Sequence, residues 1–235
     1  DAYLIVIESI KIACYHANRE PKVLWVSSEK LEENDKESWK NLKQADGILV
    51  PGGFGNRGIE GKIMAAKYAR ENRIPYLGLC LGMQIMTIEF ARNALKDKQI
   101  TSEEFDEEGK LDPSKYVIHF MPGQYKERDK GGTLRLGLYP CKLQKGTKTY
   151  NLYGKPLINE RHRHRYEFNN SYKHKLERAG MVFPGIYEKG NLVEIAEIKN
   201  HPFMIGSQFH PEFQSRPSRP HPLFKGFIEA AKKKD

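Results

Sequence analysis

The feature that most constrains this chain is a strand that turns into a helix within one residue. Residues 74–86, IPYLGLCLGMQIM, carry it, with Cys80 at the turn. Ile74 to Leu79 is a short apolar run that predicts a buried strand. From Leu81 onward Ile85, Ile88 and Ala91 follow at helical spacing, which predicts a helix. Gly78 and Gly82 stand two residues on either side of the cysteine. A turn this tight leaves no room for Cβ atoms beside its apex, so glycine suits both positions. The apex residue is pushed into the open at a helix N-terminus, where a thiolate is favoured. A free cysteine in an apolar run otherwise serves as a small buried hydrophobe. The G-x-C-x-G frame favours the nucleophile over that reading, and it requires a base from elsewhere in the chain.

The remaining periodicity is alternating helix and strand. Tyr3, Val6, Ile7, Ile10, Cys14 and Ala17 share one helical face, predicting a helix over 1–18. KVLWVS (22–27) predicts a strand, and the polar stretch after it predicts partial helix. GILVP (47–51) predicts a second buried strand that runs into Gly52-Gly53-Phe54-Gly55; Ile59, Ile63, Ala66 and Ala69 then space a helix. Strand–helix–strand–helix at this spacing predicts an α/β fold with a mainly parallel central sheet, helices on its flanks and smaller antiparallel strands. Ligands of such sheets sit beyond the carboxyl ends of the strands, where both PGGFG and LCLG fall.

From Asn93 to Gly132 the pattern lapses into an acidic, turn-rich stretch and a long surface loop, HFMPGQYKERDKGG. Beyond it TLRLGLYPCKL, ERHRHRYEFN, MVFPGIY, NLVEIAEI and FMIGSQFH read as strands. SYKHKLERAG reads as a short helix stopped by Gly180, and HPLFKGFIEAAKKK as a closing helix entered through Pro222. One domain over 1–235 accounts for the pattern.

Composition narrows the function classes. Of the 235 residues, 29% are charged and 39% hydrophobic, ordinary for a soluble globular chain. No apolar run approaches the length that spans a membrane. Three cysteines, Cys14, Cys80 and Cys141, make no disulfide framework and point to a reducing, cytoplasmic setting. The net charge of +9 favours anionic ligands or an acidic partner. The basic residues are interleaved with acids and no nucleic-acid module accompanies them, so neither nucleic acid nor membrane is an expected partner. No metal-ligand spacing stands out.

The base candidate lies in QFHPEF, 208–213. Pro211 holds His210 out of the helical region, and in an extended segment His210 and Glu212 point to one side. Glu212 then accepts the Nδ1–H and presents Nε2 to a thiol. A loop start is the other reading of His-Pro-Glu. Attack on a carbonyl also needs an oxyanion hole, for which the N–H of Leu81 and a donor from PGGFG, Gly53, are candidates. Alone PGGFG is a weak signal; a phosphate loop is its alternative, but no G-x-x-x-x-G-K-[ST] run is present. The chain order Cys…His-x-Glu differs from the nucleophile–acid–His order of the α/β-hydrolases.

Together PGGFG, GLCLGMQ and HPE resemble the class I glutamine amidotransferases, with a flavodoxin-like three-layer fold. ILVPGGFGNRG, YLGLCLGMQ, GGTLRLG, ERHRHRYEFN and QFHPEF resemble more closely the glutaminase domains of the CTP synthase family. GGTLRLG and RHRHRYE separate them from the domains of GMP synthase, anthranilate synthase and carbamoyl phosphate synthase. The likeness runs from Asp1 to about Ala231. In the family a synthetase domain and the first strand of the fold precede this point, so 1–235 is read as the amidotransferase domain alone.

The resemblance implies hydrolysis of L-glutamine to glutamate and ammonia through a γ-glutamyl thioester. Cys80 is then the nucleophile, with His210 and Glu212 as its partners and Gly53 and Leu81 as oxyanion donors. Glutamine is held by Gly53, Leu81, Gly82, Met83, Gln84, Glu104 and Arg165; SEEF around Glu104 stands where the family is closer to STEF. Arg57 and Gly58 fall in a segment tied to activation by GTP. No cofactor is implied for this domain. The full protein is implied to use ATP and Mg2+ to aminate UTP to CTP, with GTP as activator, and to be a homo-oligomer. The alternatives are the glutaminase domain of another class I amidotransferase such as GMP synthase, a catalytically silent amidotransferase-like binding module, and a cysteine peptidase on a similar fold.

Overall fold

A computed structural model describes residues 2–106, 108–120 and 134–232. Helix α1 (Ala2–His16) is followed by α2 (Ser28–Glu32) and α3 (Lys36–Gln44), whose first turns are capped by Ser27 and Asp35. Strand β1 (Ile48–Val50) leads to α4 (Ile59–Asn72), and β2 (Tyr76–Leu79) to α5 (Leu81–Leu95). Then come β3 (Thr101–Ser102), β4 (Tyr116–Phe120), β5 (Arg135–Leu143), α6 (Lys148–Tyr153), β6 (Leu157–His164) and β7 (Tyr166–Phe168). The last elements are α7 (Lys173–Ala179), β8 (Met181–Tyr187), β9 (Leu192–Ile198), β10 (Met204–Ser207) and α8 (Pro222–Ala231).

Among the described residues the main sheet has seven strands in the order β1-β2-β10-β9-β8-β5-β6, and β3-β4-β7 form a small second sheet. Both faces of the main sheet are covered. Tyr76, Ala196 and Met204 pack with α4, α5 and α7, while Leu77, Leu79, Ile195 and Ile205 pack with α1 and α8. Alternate side chains of a strand go to opposite faces, so these short apolar strands fill two cores at once.

Three expectations need correction. The main sheet is mixed rather than mainly parallel: β1, β2 and β10 are parallel neighbours, and β9, β8, β5 and β6 continue it in antiparallel pairings. The short connections explain this, since the four residues between β8 and β9 are too few for a parallel crossover. KVLWVS forms no strand; no neighbour offers it a ladder, and Trp25 is exposed. ERHRHRYEFN is two strands in two sheets, broken at Arg165, with β6 on β5 and β7 on β4. Most of the predicted loop over 119–132 lies outside the described residues, and its first two residues belong to β4.

One consequence of the topology positions the site. Strand β5 meets β8 only through Lys142 and Leu143, whereas it pairs with β6 from Arg135 to Lys142. The β5–β6 ribbon therefore extends past the sheet. It curls back over the carboxyl ends of the parallel strands, where the Arg161 carbonyl accepts the His210 N–H at 2.8 Å.

Candidate active site

Three parallel neighbours deliver the site from their carboxyl ends. β1 runs into Pro51-Gly52-Gly53, β2 into Cys80, and β10 into Gln208-Phe209-His210. With β2 between the other two, the cysteine sits at the centre. Cys80 has φ +50° and ψ −100°, a conformation costly for a residue with a Cβ. Its N–H is held by the Ser207 carbonyl at 2.7 Å, and its own carbonyl accepts from Met83 and Gln84 at 3.1 and 3.3 Å.

The flanking glycines are required by close approach. A Cβ on Gly82 would lie 2.1 Å from the Val50 oxygen, and one on Gly78 would lie 2.5 Å from the Gly82 backbone. Neither backbone can yield, so α5 is pressed onto β1 and β2 only because both residues lack side chains.

His210 Nδ1 lies 2.7 Å from Glu212 Oε1, as the spacing predicts, but for a different reason. Residues 211–214 form a 3-10 turn rather than an extended segment, and Glu212 reaches back from its first residues. The imidazole also stacks on Phe213, with ring centroids 5.3 Å apart. Burial works against a charge on His210. Its interactions with Cys80 and then with Glu212 outweigh burial and raise its pKa to about 10. His210 is therefore cationic at neutral pH, the partner a thiolate needs.

The glycine loop closes the other side. A Cβ on Gly52 would meet His210 Cε1 at 2.8 Å and Cys80 Cβ at 3.6 Å. A Cβ on Gly53 would meet Leu81 Cδ2 at 3.1 Å, so the Leu81 side chain lies against this glycine. The Leu81 N–H lies at the first turn of α5, outside that helix's own ladder.

Glu104 is joined to this loop by the Gly55 N–H, 2.9 Å from Oε1. Burial raises its pKa, while the Gly55 N–H and the nearby Arg165 charge pull it down. The Arg165 Nε is buried without a hydrogen-bond partner among the described residues. A carboxylate and a guanidinium thus stand together beside the loop, the pair an α-amino acid's own charges call for.

The other expected residues sort differently. Met83 is fully buried against Gly206 of β10, and its N–H is spent on Cys80, so its side chain belongs to the core. The Gly82 carbonyl accepts from the Tyr76 hydroxyl at 2.8 Å. Arg57 is exposed and paired through two bonds with Glu29 of α2, at 2.7 and 2.8 Å. Gly58 begins α4 in a left-handed conformation, φ +65°.

Gln208 is the residue that sequence reasoning missed. It is buried, and its Nε2 lies 3.5 Å from the Cys80 sulfur. Its position two residues before His210 was the available signal, because alternate residues leaving a strand face one way.

His162 and His164 of the ribbon and Glu194 of β9 are buried close enough to converge on a cation. Arg135 already supplies that charge, 2.5 Å from Glu194 Oε1, and its guanidinium lies over the Tyr139 and Tyr187 rings. The cluster does not fit a metal.

The family model for class-I glutamine amidotransferases matches residues 1–230. The chain belongs to the class I glutamine amidotransferases. Within that family it is similar to CTP synthases: 56% identical to the one from Dehalococcoides mccartyi and 53% to the one from Bacillus subtilis. These matches cover 99% and 98% of the chain but 42% of each relative, so the chain spans less than half the length of these relatives. The Trypanosoma brucei CTP synthase glutaminase domain, solved with bound acivicin, superposes with a TM-score of 0.89 at 37% identity. That match covers all of this chain and 89% of the other. A Thermoplasma acidophilum structure, provisionally named as part of a GMP synthase, shares the amidotransferase fold at 15% identity and TM-score 0.57. It covers 96% of this chain and 87% of that one. No helix among the described residues of this amidotransferase is long and apolar enough to cross a membrane.

Proposed function

We propose that this amidotransferase domain hydrolyses L-glutamine with Cys80 as nucleophile, His210 as acid and base, and Glu212 as the group that orients His210. The observation that carries the reading is the 2.7 Å contact between His210 Nδ1 and Glu212 beside an elbow cysteine. With Nδ1 committed to the carboxylate, proton exchange falls to Nε2.

The Cys80 thiolate attacks the side-chain carbonyl carbon of glutamine, and the N–H groups of Gly53 and Leu81 receive the developing oxyanion. His210 gives its proton to the departing nitrogen, so ammonia leaves and a γ-glutamyl thioester remains. Neutral His210 then takes a proton from water, which attacks the thioester and releases glutamate and the thiolate. Glu104 takes the substrate's ammonium, Arg165 its carboxylate, and the Leu81–Gln84 turn lines the remaining wall.

The ammonia is destined for a synthetase domain of the same protein, which uses ATP and Mg2+ to aminate UTP to CTP in the cytoplasm. Homo-oligomeric assembly of that protein is part of this reading. GTP acts as activator through the segment of Arg57 and Gly58; the exposed Arg57 guanidinium has a charge suited to an anionic nucleotide. The test is CTP formation by the full-length protein, supplied with either glutamine or ammonia. Cys80→Ala should abolish the glutamine-dependent reaction and leave the ammonia-dependent one. Amination of a nucleotide other than UTP, or glutamine use that survives the substitution, contradicts the proposal.

A further inference from the structure

Apart from Arg165, the RHRHRYE run has no part in the steps above, and neither has Gln208, yet both are joined to the nucleophile. Gln84 Nε2 lies 3.2 Å from the Tyr166 carbonyl and 3.2 Å from Gln208 Oε1. A carbonyl only accepts, so the Gln84 atom facing Tyr166 is its amide nitrogen. That nitrogen has a second hydrogen, which it gives to Gln208, so the Gln208 atom facing Gln84 is the oxygen. The remaining Gln208 atom, 3.5 Å from the Cys80 sulfur, is therefore the NH2 group, a donor. The network fixes this orientation without reference to the sulfur.

The same carbonyl orders the histidines. His164 Nδ1 lies 3.0 Å from the Tyr166 oxygen and must carry the hydrogen. Burial keeps His164 neutral, with its pKa lowered to about 3, so its Nε2 stands as an acceptor 3.0 Å from His162 Nδ1, an atom that the Arg135 guanidinium also faces at 3.5 Å. His162 Nε2 and Glu194 Oε2, 3.3 Å apart, have no hydrogen-bond partner among the described residues, whereas the Glu194 backbone carbonyl accepts the Gln208 N–H at 2.8 Å. Gln208 is thus held at its backbone by Glu194 and at its side chain by Gln84. All of these side chains are buried.

We propose that Gln208 is a further catalytic residue, whose amide donates to the Cys80 sulfur and favours its anionic form, and that Gln84 and Tyr166 fix its orientation. A hydrogen bond to the charged form of an acid favours that form. The sulfur is also faced by His210, with Glu212 behind it, and by the Arg163 carbonyl at 4.0 Å. Gln208 adds a neutral donor that does not depend on the protonation of His210, beside the sulfur that attacks in the first step and leaves as thiolate in the second. The inference rests on Cys80 being the nucleophile.

The test is the rate of Cys80 alkylation by iodoacetamide, followed by peptide mass spectrometry across neutral pH. Wild type, Gln208→Met and Gln84→Met are compared; methionine matches glutamine in length and lacks the amide. Gln208→Met should move the rate profile to higher pH by about one unit, an about tenfold loss of rate on its rising limb. Its plateau should be unchanged, which a merely structural defect would not produce. Gln84→Met, which frees the Gln208 amide, should move the profile the same way by less. A Gln208→Met profile that superimposes on wild type overturns the proposal. Should that variant not fold, an unmoved Gln84→Met profile overturns it. A wild-type Cys80 no more reactive than a cysteine in an unstructured peptide would instead overturn the nucleophile reading itself.

Discussion

Gly52 and His210 share a space that holds only one of a Cβ and an imidazole. A methyl group on Gly52 would lie 2.8 Å from His210 Cε1. Gly52→Ala should therefore displace the imidazole while leaving the cores intact. Displacements on the order of 1 Å cost about 100-fold in rate. Glutaminase assays should show a loss of at least that size, with thermal unfolding little changed. An active Gly52→Ala enzyme would mean that His210 is not where the reaction needs it.

Gly82→Ala should act on stability first. Its Cβ would meet the Val50 carbonyl at 2.1 Å, which is backbone within a paired strand. Overpacking of this kind costs about 1–3 kcal/mol, and contact with rigid backbone places this case at the upper end. Denaturant unfolding would read it directly, as a lower midpoint at unchanged slope.

The raised pKa of His210 makes a pH prediction with a definite sign. Its value goes from the ordinary 6.5 to about 10 in the folded chain, so the folded state binds the proton more tightly. The stabilisation is complete below about 6.5 and is lost as pH rises through about 10. The stability difference between wild type and His210→Gln should shrink over that interval. Cys80→Ala, which removes the first of the groups that raise the value, should narrow it. A difference that grows with pH would contradict the ion-pair arrangement.

Arg135→Met should weaken the ribbon. Arg135 is buried and bonded to Glu194, which is fully enclosed, and burial raises the Glu194 pKa to about 7 against the pull of that arginine. Removing one member of a buried pair costs about 3–5 kcal/mol. Because the Arg161 carbonyl holds the His210 N–H, glutaminase activity should fall together with the melting temperature. Unchanged stability would show that the charge of Glu194 is met elsewhere.

The elbow was legible because its chemistry is local. Gly78, Cys80 and Gly82 lie within five residues, and the clash that excludes side chains at the two glycines is with the adjoining turn and strand. His210 and Glu212 were legible for the same reason, although the turn joining them was not. Strand direction was legible only in part. The four residues between β8 and β9 demand antiparallel pairing, but the alternation of helix and strand near the start suggested a mainly parallel sheet. KVLWVS shows the limit of propensity: β-branched residues make a strand only where a neighbour supplies the ladder.

The ribbon's return over the site was not legible. It depends on β5 pairing with β8 over its last two residues alone, a tertiary event with no local signature. The break at Arg165, which sends β6 and β7 to different sheets, is of the same kind. Gln208 and Gln84 meet across more than a hundred residues, and only the fold shows that the amide of one orients the other.

The central claim is that Cys80 carries the γ-glutamyl group, and acid quenching during glutamine turnover tests it most directly. Mass spectrometry of the quenched protein should find a γ-glutamyl adduct on the peptide containing Cys80, and no adduct in Cys80→Ala, which should not hydrolyse glutamine. An adduct on another residue, or glutamine hydrolysis that persists in Cys80→Ala, would contradict the account.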